Sequence, residues 1–266
     1  MFARWQDLTS PRLAQAAAAG DAIAVLPLAA VEQHGPHLPL GTDLVICEGY
    51  LARIAPLVPP RLTVLALPVQ AVGKSDEHLS FPGTLSLTPE AALAAWLEIG
   101  DCVAAAGIRR LVILNTHGGN VPVMDLFARK LRARHAMLAV MASMHRFGYP
   151  EGLFGADERA HGIHGGEIET SLMLAFRPDL VDMGQAADFA PFSRQMEARF
   201  THLRANHPIG FGWMSEDLHP SGAMGDARGA TAAKGEAAAD FGARAFVELL
   251  ADVAAFDLGH FERGRD

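Results

Sequence analysis

A cluster of acidic residues and histidines follows the first long apolar run of the chain. The run at 22–31 is typical of a buried parallel strand, and Glu32, His34 and Asp43 follow it. Open α/β sheets bind their ligands beyond the carboxyl ends of such strands. Glu32 and His34 are two residues apart, so both side chains point to the same side of an extended backbone. Carboxylates and imidazoles are ligands of divalent metals, so the sequence predicts a metal site here.

A second cluster, at 115–120, lies directly after the apolar run 110–115. It places His117 at the end of a predicted strand, with two glycines beside it and with Asn115 and Asn120 able to orient the ring. A strand, a glycine turn and a helix could also begin a phosphate site. The full dinucleotide and P-loop fingerprints are absent, however, so a metal ligand is the favoured interpretation.

A third cluster at 161–171 contains His164, Glu167 and Glu169. On a helix the two glutamates cannot face the same way, and Glu169 shares its face with apolar Leu172 and Met173. A carboxylate on an apolar face must be neutralised or bound to a cation, so Glu169 is predicted to be a metal ligand. Glu167 is a candidate catalytic residue, although an acid contacting solvent or the helix dipole is an equal alternative.

Weaker candidates for substrate contact lie elsewhere. His37 is in the first cluster, and Glu77 and His78 follow the second predicted strand in a loop that could contact substrate, brace a ligand or simply be solvated. Trp213 lies between glycines and could form a lid over the pocket or a subunit contact.

Strands and helices alternate along the chain, which predicts a three-layer α/β/α fold with a mostly parallel central sheet and one domain over 1–266. The predicted strands are 22–31, 63–69, 110–115 and 137–144. The predicted helices are 10–19, 43–57 with Thr42 as its cap, 88–106, 121–135, 167–176 and 231–256. The last helix carries an apolar stripe of Phe241, Ala245, Leu249 and Val253. We expect irregular structure at 145–165 and a long loop at 183–229 with a possible helix at 193–204.

Composition narrows the function classes. The 266 residues carry a net charge of -8, which argues against nucleic acid as a partner. Apolar runs are too short to cross a membrane, and the N-terminus lacks a signal-peptide pattern. Cys47 and Cys102 are expected to be small core residues, so a reducing cytoplasm is the expected location.

Taken in order, the motifs EQHGPHLPLGTD, DEHLSFPGTLSL, NTHGGN and HGGEIETSLML resemble the creatininase (creatinine amidohydrolase) family. The resemblance covers 25–185, and more weakly 225–236. It implies a creatininase-like three-layer fold, two divalent metal ions per subunit, a small-molecule substrate, hydrolysis of a cyclic amide or related C–N bond, and a homohexamer.

Position by position, the resemblance makes Glu32 and His117 ligands of one metal, His34 a ligand of the other, and Asp43 a bridge between them. It makes His164 the proton donor to the leaving nitrogen. Creatininase completes its second metal with a glutamate two residues after the matching histidine, where this chain has Gly119. We hypothesise that Glu169 takes that place. Nitrogen and oxygen ligands leave zinc, manganese and iron(II) feasible.

The predicted function is therefore a divalent-metal-dependent hydrolase of a non-standard C–N bond, in a cyclic amide, formamide or related compound, through a hydroxide that bridges the two ions. The tryptophans that close on creatinine are absent between 155 and 164, so the resemblance implies a member other than a true creatininase. Alternatives are a peptidase of the mycofactocin-precursor type, a single-metal hydrolase, and a catalytically inactive metal-binding or assembly protein.

Overall fold

The computed structural model describes residues 1–261, so the end of the predicted domain, 262–266, lies outside the described residues. The strands are β1 (Phe2–Arg4), β2 (Ile23–Leu28), β3 (Val64–Ala66), β4 (Arg110–Asn115), β5 (Leu138–Ser143), β6 (Asp188–Phe189) and β7 (Gly225–Asp226). The helices are α1 (Ser10–Ala18), α2 (Thr42–Ile54), α3 (Pro89–Ala105), α4 (Val121–His135), α5 (Ala156–His161), α6 (Glu167–Phe176), α7 (Phe192–Arg199), α8 (Ser215–Leu218) and α9 (Ala232–Ala255). The prediction of a single domain stays a prediction.

The central sheet has five strands in the order β1-β3-β2-β4-β5, and every neighbouring pair is parallel. Leu28 pairs with Asn115, and Asn115 pairs with Ser143, where β2, β4 and β5 end. The carboxyl ends of these three strands therefore lie side by side at one edge of the sheet. The predicted mostly parallel sheet is confirmed.

Side chains of the strands alternate between two apolar layers. In β2, Ile23 and Val25 pack with α2, α6 and α9, whereas Ala24 and Leu26 pack with α1, α3 and α4. The sheet is thus covered on both faces, which explains why its strands are almost continuously apolar. This arrangement confirms the predicted three layers.

The buried face of α9 differs from the predicted stripe. Phe241, Ala245 and Leu249 are only partly buried. The buried positions are Gly235, Ala238, Ala239, Gly242, Ala243, Phe246, Leu250 and Val253. Small residues form this face because α6 approaches closely, and a Cβ on Gly235 would collide with the main chain of Ser171. The predicted stripe is therefore right for Val253 and wrong for the other three residues, because the close approach of α6 selects a face of glycine and alanine.

Two local predictions are also corrected. Cys47 is buried, but Cys102 is exposed because it faces solvent on α3 beside the buried Val103. Thr42 begins α2 rather than capping it, because its hydroxyl donates a hydrogen bond to the Pro39 carbonyl (2.7 Å).

Short elements were not predicted. The three-residue strand β1 pairs with β3, α5 lies within the segment expected to be irregular, and the long loop contains α8 and the antiparallel pair β6–β7 in addition to α7. Arg194 joins α7 to Asp157 (2.5 Å) and Asp188 (3.2 Å). These elements depend on contacts between distant segments, so local patterns do not reveal them.

Candidate metal centre

Four predicted ligands meet at the edge of the sheet where β2 and β4 end. Glu32 and His34 follow β2, His117 follows β4, and Asp43 lies in the first turn of α2; all four side chains are buried. The Nδ1 atom of His117 is 3.2 Å from Glu32 Oε1 and 3.3 Å from Asp43 Oδ2. These three residues form one group of possible ligands.

A second group lies on the other side of Asp43. His34 Nε2 is 3.7 Å from Asp43 Oδ1 and 3.9 Å from Glu169 Oε2. The Gly165 N–H donates to Glu169 Oε2 (2.6 Å) and holds it toward the centre. The Glu169 side chain is 24% exposed, which makes it the most accessible of the candidate ligands.

The histidine rings are oriented by main-chain carbonyls. His34 Nδ1 donates to the Glu32 carbonyl (3.0 Å), His117 Nε2 to the Lys74 carbonyl (2.8 Å) and His164 Nε2 to the Gln33 carbonyl (2.6 Å). A carbonyl oxygen only accepts, so each neutral ring carries its hydrogen on the outward nitrogen. When a ring is neutral, its inward nitrogen therefore presents a lone pair, and the inward nitrogen of His164 lies 3.6 Å from Glu32 Oε1.

These inward atoms fit a divalent cation. Within residues 1–261, Glu32 Oε1, His34 Nε2 and Asp43 Oδ2 are buried without a hydrogen-bond partner. Lone pairs that face one another away from water are costly unless a cation lies among them. Three overlapping groups bring ligand atoms within 4.8 Å of one another, and the third consists of Glu32, His34 and His164. Carboxylate oxygens and imidazole nitrogens suit zinc, manganese or iron(II).

Further side chains hold the ligands in place. The Ser75 hydroxyl donates to Glu32 Oε2. Asn115 Nδ2 donates to the His117 carbonyl (2.6 Å). Asn120 Oδ1 accepts from the Lys74 N–H (3.0 Å), and Asn120 Nδ2 donates to the Ala29 carbonyl (3.1 Å). The asparagines were identified from the sequence. Ser75 was missed, because only the fold brings its loop against Glu32.

The weaker candidates lie around the centre rather than in it. His78 is buried with Nε2 3.5 Å from Glu32 Oε1, and burial lowers its pKa to about 4, so the ring is neutral at pH 7. His37 Nε2 is hydrogen-bonded to Thr170 Oγ1 (2.9 Å), and the His37 ring stacks on Phe189.

Trp213 and Glu167 are held by contacts of their own. The Trp213 Nε1–H donates to the Ala205 carbonyl (3.0 Å), which anchors the ring to its own loop. The Glu167 carboxylate pairs with Lys234 of α9. A catalytic role for Glu167 and a substrate role for Trp213 stay predictions.

Several known proteins are similar to this chain. The family model for creatininase, creatinine amidohydrolase, matches residues 6–250. A mycofactocin precursor peptide peptidase of Mycobacterium ulcerans is 34% identical over 236 residues, covering 86% of this chain and 81% of that protein. A creatinine amidohydrolase of Pseudomonas putida is 35% identical over 194 residues, covering 65% and 72% of the two chains.

The chain belongs to the creatininase family. A solved structure of a manganese creatininase has a TM-score of 0.73 at 29% identity, covering 95% of this chain and 98% of that chain. The resemblance drawn from the four motifs is therefore confirmed, together with the creatininase-like fold. Within residues 1–261 no helix is long and apolar enough to cross a membrane.

Gly119 marks a difference from the creatininase pattern. A Cβ on Gly119 would lie less than 3.0 Å from Glu77 Oε1, His117 Nε2 and the Lys74 carbonyl oxygen. Glu77 is itself held by Lys74 Nζ (2.7 Å). The space beside Gly119 is thus filled, and in this arrangement position 119 cannot supply a carboxylate to the centre.

Substitution of Gly119 by alanine tests this packing. The added methyl group must displace Glu77 or break the bond that orients His117, so we expect metal affinity to fall by about 10–100-fold. Gly118→Ala is a matched control, because a Cβ on Gly118 meets nothing within 4 Å. Manganese titration of both variants measures the effect, and equal affinities would contradict the packing argument.

The protonation of the metal-free centre follows from its charges. Burial alone would lower the pKa of His34, but the carboxylates of Asp43, Glu169 and Glu32 outweigh burial and raise the pKa to about 9. Burial lowers the pKa of His117, but the carboxylates of Glu32 and Asp43 raise it by more, so the pKa lies well above the ordinary value. Burial raises the pKa of Glu169 to about 7, despite the nearby His34. At pH 7.5 the metal-free centre therefore holds protons.

Metal binding is expected to expel these protons. A histidine whose pKa is raised is protonated at pH 7.5, and it must lose that proton before it can bind a metal. We expect release of about one proton or more per chain at pH 7.5, and less release as the pH approaches the pKa of His34. Calorimetric titration in buffers of different ionisation enthalpy measures the number. Heats that are independent of the buffer would contradict the expectation.

Proposed function

We propose that this creatininase-family protein hydrolyses a C–N bond with two divalent metal ions per subunit. The observation that carries the proposal is the set of buried, unpartnered atoms on both sides of Asp43. Glu32, Asp43 and His117 would hold one ion, and His34, Asp43 and Glu169 the other. Such a pair of ions, when bound, supplies an activated water and a positive charge for the carbonyl oxygen.

His164 is the residue that we assign to proton transfer. Its Nε2–H is committed to the Gln33 carbonyl, which leaves the Nδ1 lone pair directed into the centre. Nδ1 can accept a proton from the attacking water and return it to the leaving nitrogen. The ring stacks between His34 (4.0 Å) and His78 (4.3 Å), so its position is fixed. His164 also belongs to one ligand group, and metal content of a His164 variant separates the two roles.

We propose a small cyclic amide, formamide or related compound as the substrate. The motif resemblance to a family of amidohydrolases supports this class, and Glu169 lies at the accessible side of the centre. A peptidase acting on a mycofactocin-type precursor is the second candidate, supported by the similarity to a protein of that name over most of the chain. A screen of lactams, formamides and short peptides with metal-loaded protein decides between them.

The metal, the oligomeric state and the location each rest on a separate observation. Zinc, manganese and iron(II) all suit the ligand atoms, and structurally similar creatininases named as manganese and zinc forms support those two metals. A homohexamer rests on the family resemblance, and a cytoplasmic location rests on the sparse use of cysteine. His37, Glu77, His78 and Trp213 stay candidates for shaping the substrate site. An inactive metal-binding or assembly protein would bind metal but hydrolyse none of the screened compounds.

Glu169→Gln tests the two-ion proposal. Loss of this carboxylate removes one of the three ligands on the His34 side, so we expect metal content to fall from about two to about one per chain and activity to fall by about 100-fold or more. Glu167→Gln is a matched control for metal content alone, because Glu167 lies on the same helix, pairs with Lys234 and belongs to none of the three ligand groups. Metal analysis of both variants gives the result. Two ions retained by Glu169→Gln would rule out Glu169 as a ligand.

A further inference from the structure

His78 faces the centre in a different way from the other histidines. Three imidazole nitrogens surround Glu32 Oε1: His117 Nδ1 at 3.2 Å, His78 Nε2 at 3.5 Å and His164 Nδ1 at 3.6 Å. Main-chain carbonyls fix His117 and His164 with their lone pairs inward. Within residues 1–261 the His78 ring makes no contact of this kind, and a side chain sets the position of its hydrogen instead.

That side chain is Gln33, whose amide has one favoured orientation. Gln33 Oε1 accepts from the Gly35 N–H (2.9 Å), and Nε2 donates to the Gly222 carbonyl (3.0 Å). The remaining N–H of Gln33 is directed at His78 Nδ1, 2.7 Å away. His78 Nδ1 is therefore the acceptor, and the hydrogen of the neutral ring lies on Nε2.

Gly222 provides the space for this arrangement. Its φ is +76°, and a Cβ there would lie 2.5 Å from three atoms of the Gln33 amide. The segment around Gly222 also pairs with the His164 main chain through Met224. The amide of Gln33 is thus enclosed by main chain, and its orientation is a built feature of the fold.

We propose that His78 is a positioning residue for Glu32 and that Gln33 sets its hydrogen. The Nε2–H of His78 faces one carboxylate oxygen, while the Ser75 hydroxyl donates to the other. At 3.5 Å this approach is longer than a hydrogen bond, so Oε1 stays without a hydrogen-bond partner and the N–H dipole of His78 acts on its charge alone. The Ser75 hydroxyl thus fixes one oxygen, and the N–H of His78 faces the other, which lies 3.2 Å from His117 Nδ1. An N–H cannot bind a metal, so His78 acts through Glu32. This inference rests on the proposed role of Glu32 as a metal ligand.

A matched pair of substitutions separates this role from simple packing. In His78→Gln the terminal amide lies near the place of the histidine Nε2 and can still direct an N–H at Glu32. In His78→Asn the shorter side chain places its amide near the histidine Nδ1, too far from Glu32. Both variants lose the ring stack equally. We expect the affinity for manganese to stay within about 3-fold in His78→Gln and to fall by about 10–100-fold in His78→Asn.

Gln33→Met is a second, independent test of the positioning role. It removes the donor to His78, so we expect manganese affinity to fall by about 3–10-fold in the wild-type background. In the His78→Gln background, Gln33→Met should change manganese affinity by under about 2-fold. The amide of the glutamine at position 78 carries its N–H whether or not Gln33 is present. This test decides the matter if His78→Asn does not fold, as judged by circular dichroism of the metal-free protein.

The measurement is calorimetric titration of each metal-free variant with Mn²⁺ alone. Equal affinities of His78→Gln and His78→Asn, or an equal cost of Gln33→Met in both backgrounds, would overturn the positioning role. Wild-type protein that binds no Mn²⁺ would overturn the proposed function and this inference with it. If wild-type protein binds Mn²⁺ and the two His78 variants bind it with equal affinity, only this inference would be overturned.

Discussion

Two carboxylates and the inward nitrogens of three imidazole rings share a buried space at the edge of the sheet, and the site depends on this constraint. Glu32, His34 and Asp43 each bury an atom for which no hydrogen-bond partner exists within residues 1–261. Buried polar atoms are normally paired, because an unpaired one costs about 1–3 kcal/mol. Without metal, protons held by raised pKa values offset part of that cost. A bound cation would offset it more completely.

The fold holds this arrangement by fixing the surroundings of each ligand. Carbonyl groups of Glu32, Lys74 and Gln33 orient three rings so that their lone pairs point inward. The parallel register places the ends of β2 and β4 side by side. The small-residue face of α9 lets α6 lie close, which brings Glu169 to the open side of the centre. Core packing and chemistry therefore depend on the same contacts.

Much of the fold and the outline of the site could be predicted from the sequence. Glu32, His34 and His117 were found because apolar strands end just before them, and Glu169 because a carboxylate is out of place on an apolar helix face. Ser75 and the hydrogen position of His78 could not be found this way, since they depend on contacts between segments far apart in the chain. The same limit explains the misplaced stripe on α9, where a close helix approach selects glycine and alanine. Cys102 shows that an apolar helix does not bury every small residue.

Gly119 is the point where this chain departs from the family pattern. The position where creatininase is expected to place a ligand is packed against Glu77 and the outward nitrogen of His117. The carboxylate that faces His34 comes instead from α6, in a different segment of the chain. In the proposed centre, Glu169 therefore takes the place of the carboxylate that this chain lacks at position 119.

The most direct test is a crystal structure of the manganese-loaded protein with anomalous scattering recorded at the manganese edge. The account predicts two anomalous peaks per chain, one on each side of Asp43, with Glu32 and His117 contacting one and His34 and Glu169 the other. No peak among these residues in fully loaded crystals would contradict it, and a single peak would contradict the two-ion centre.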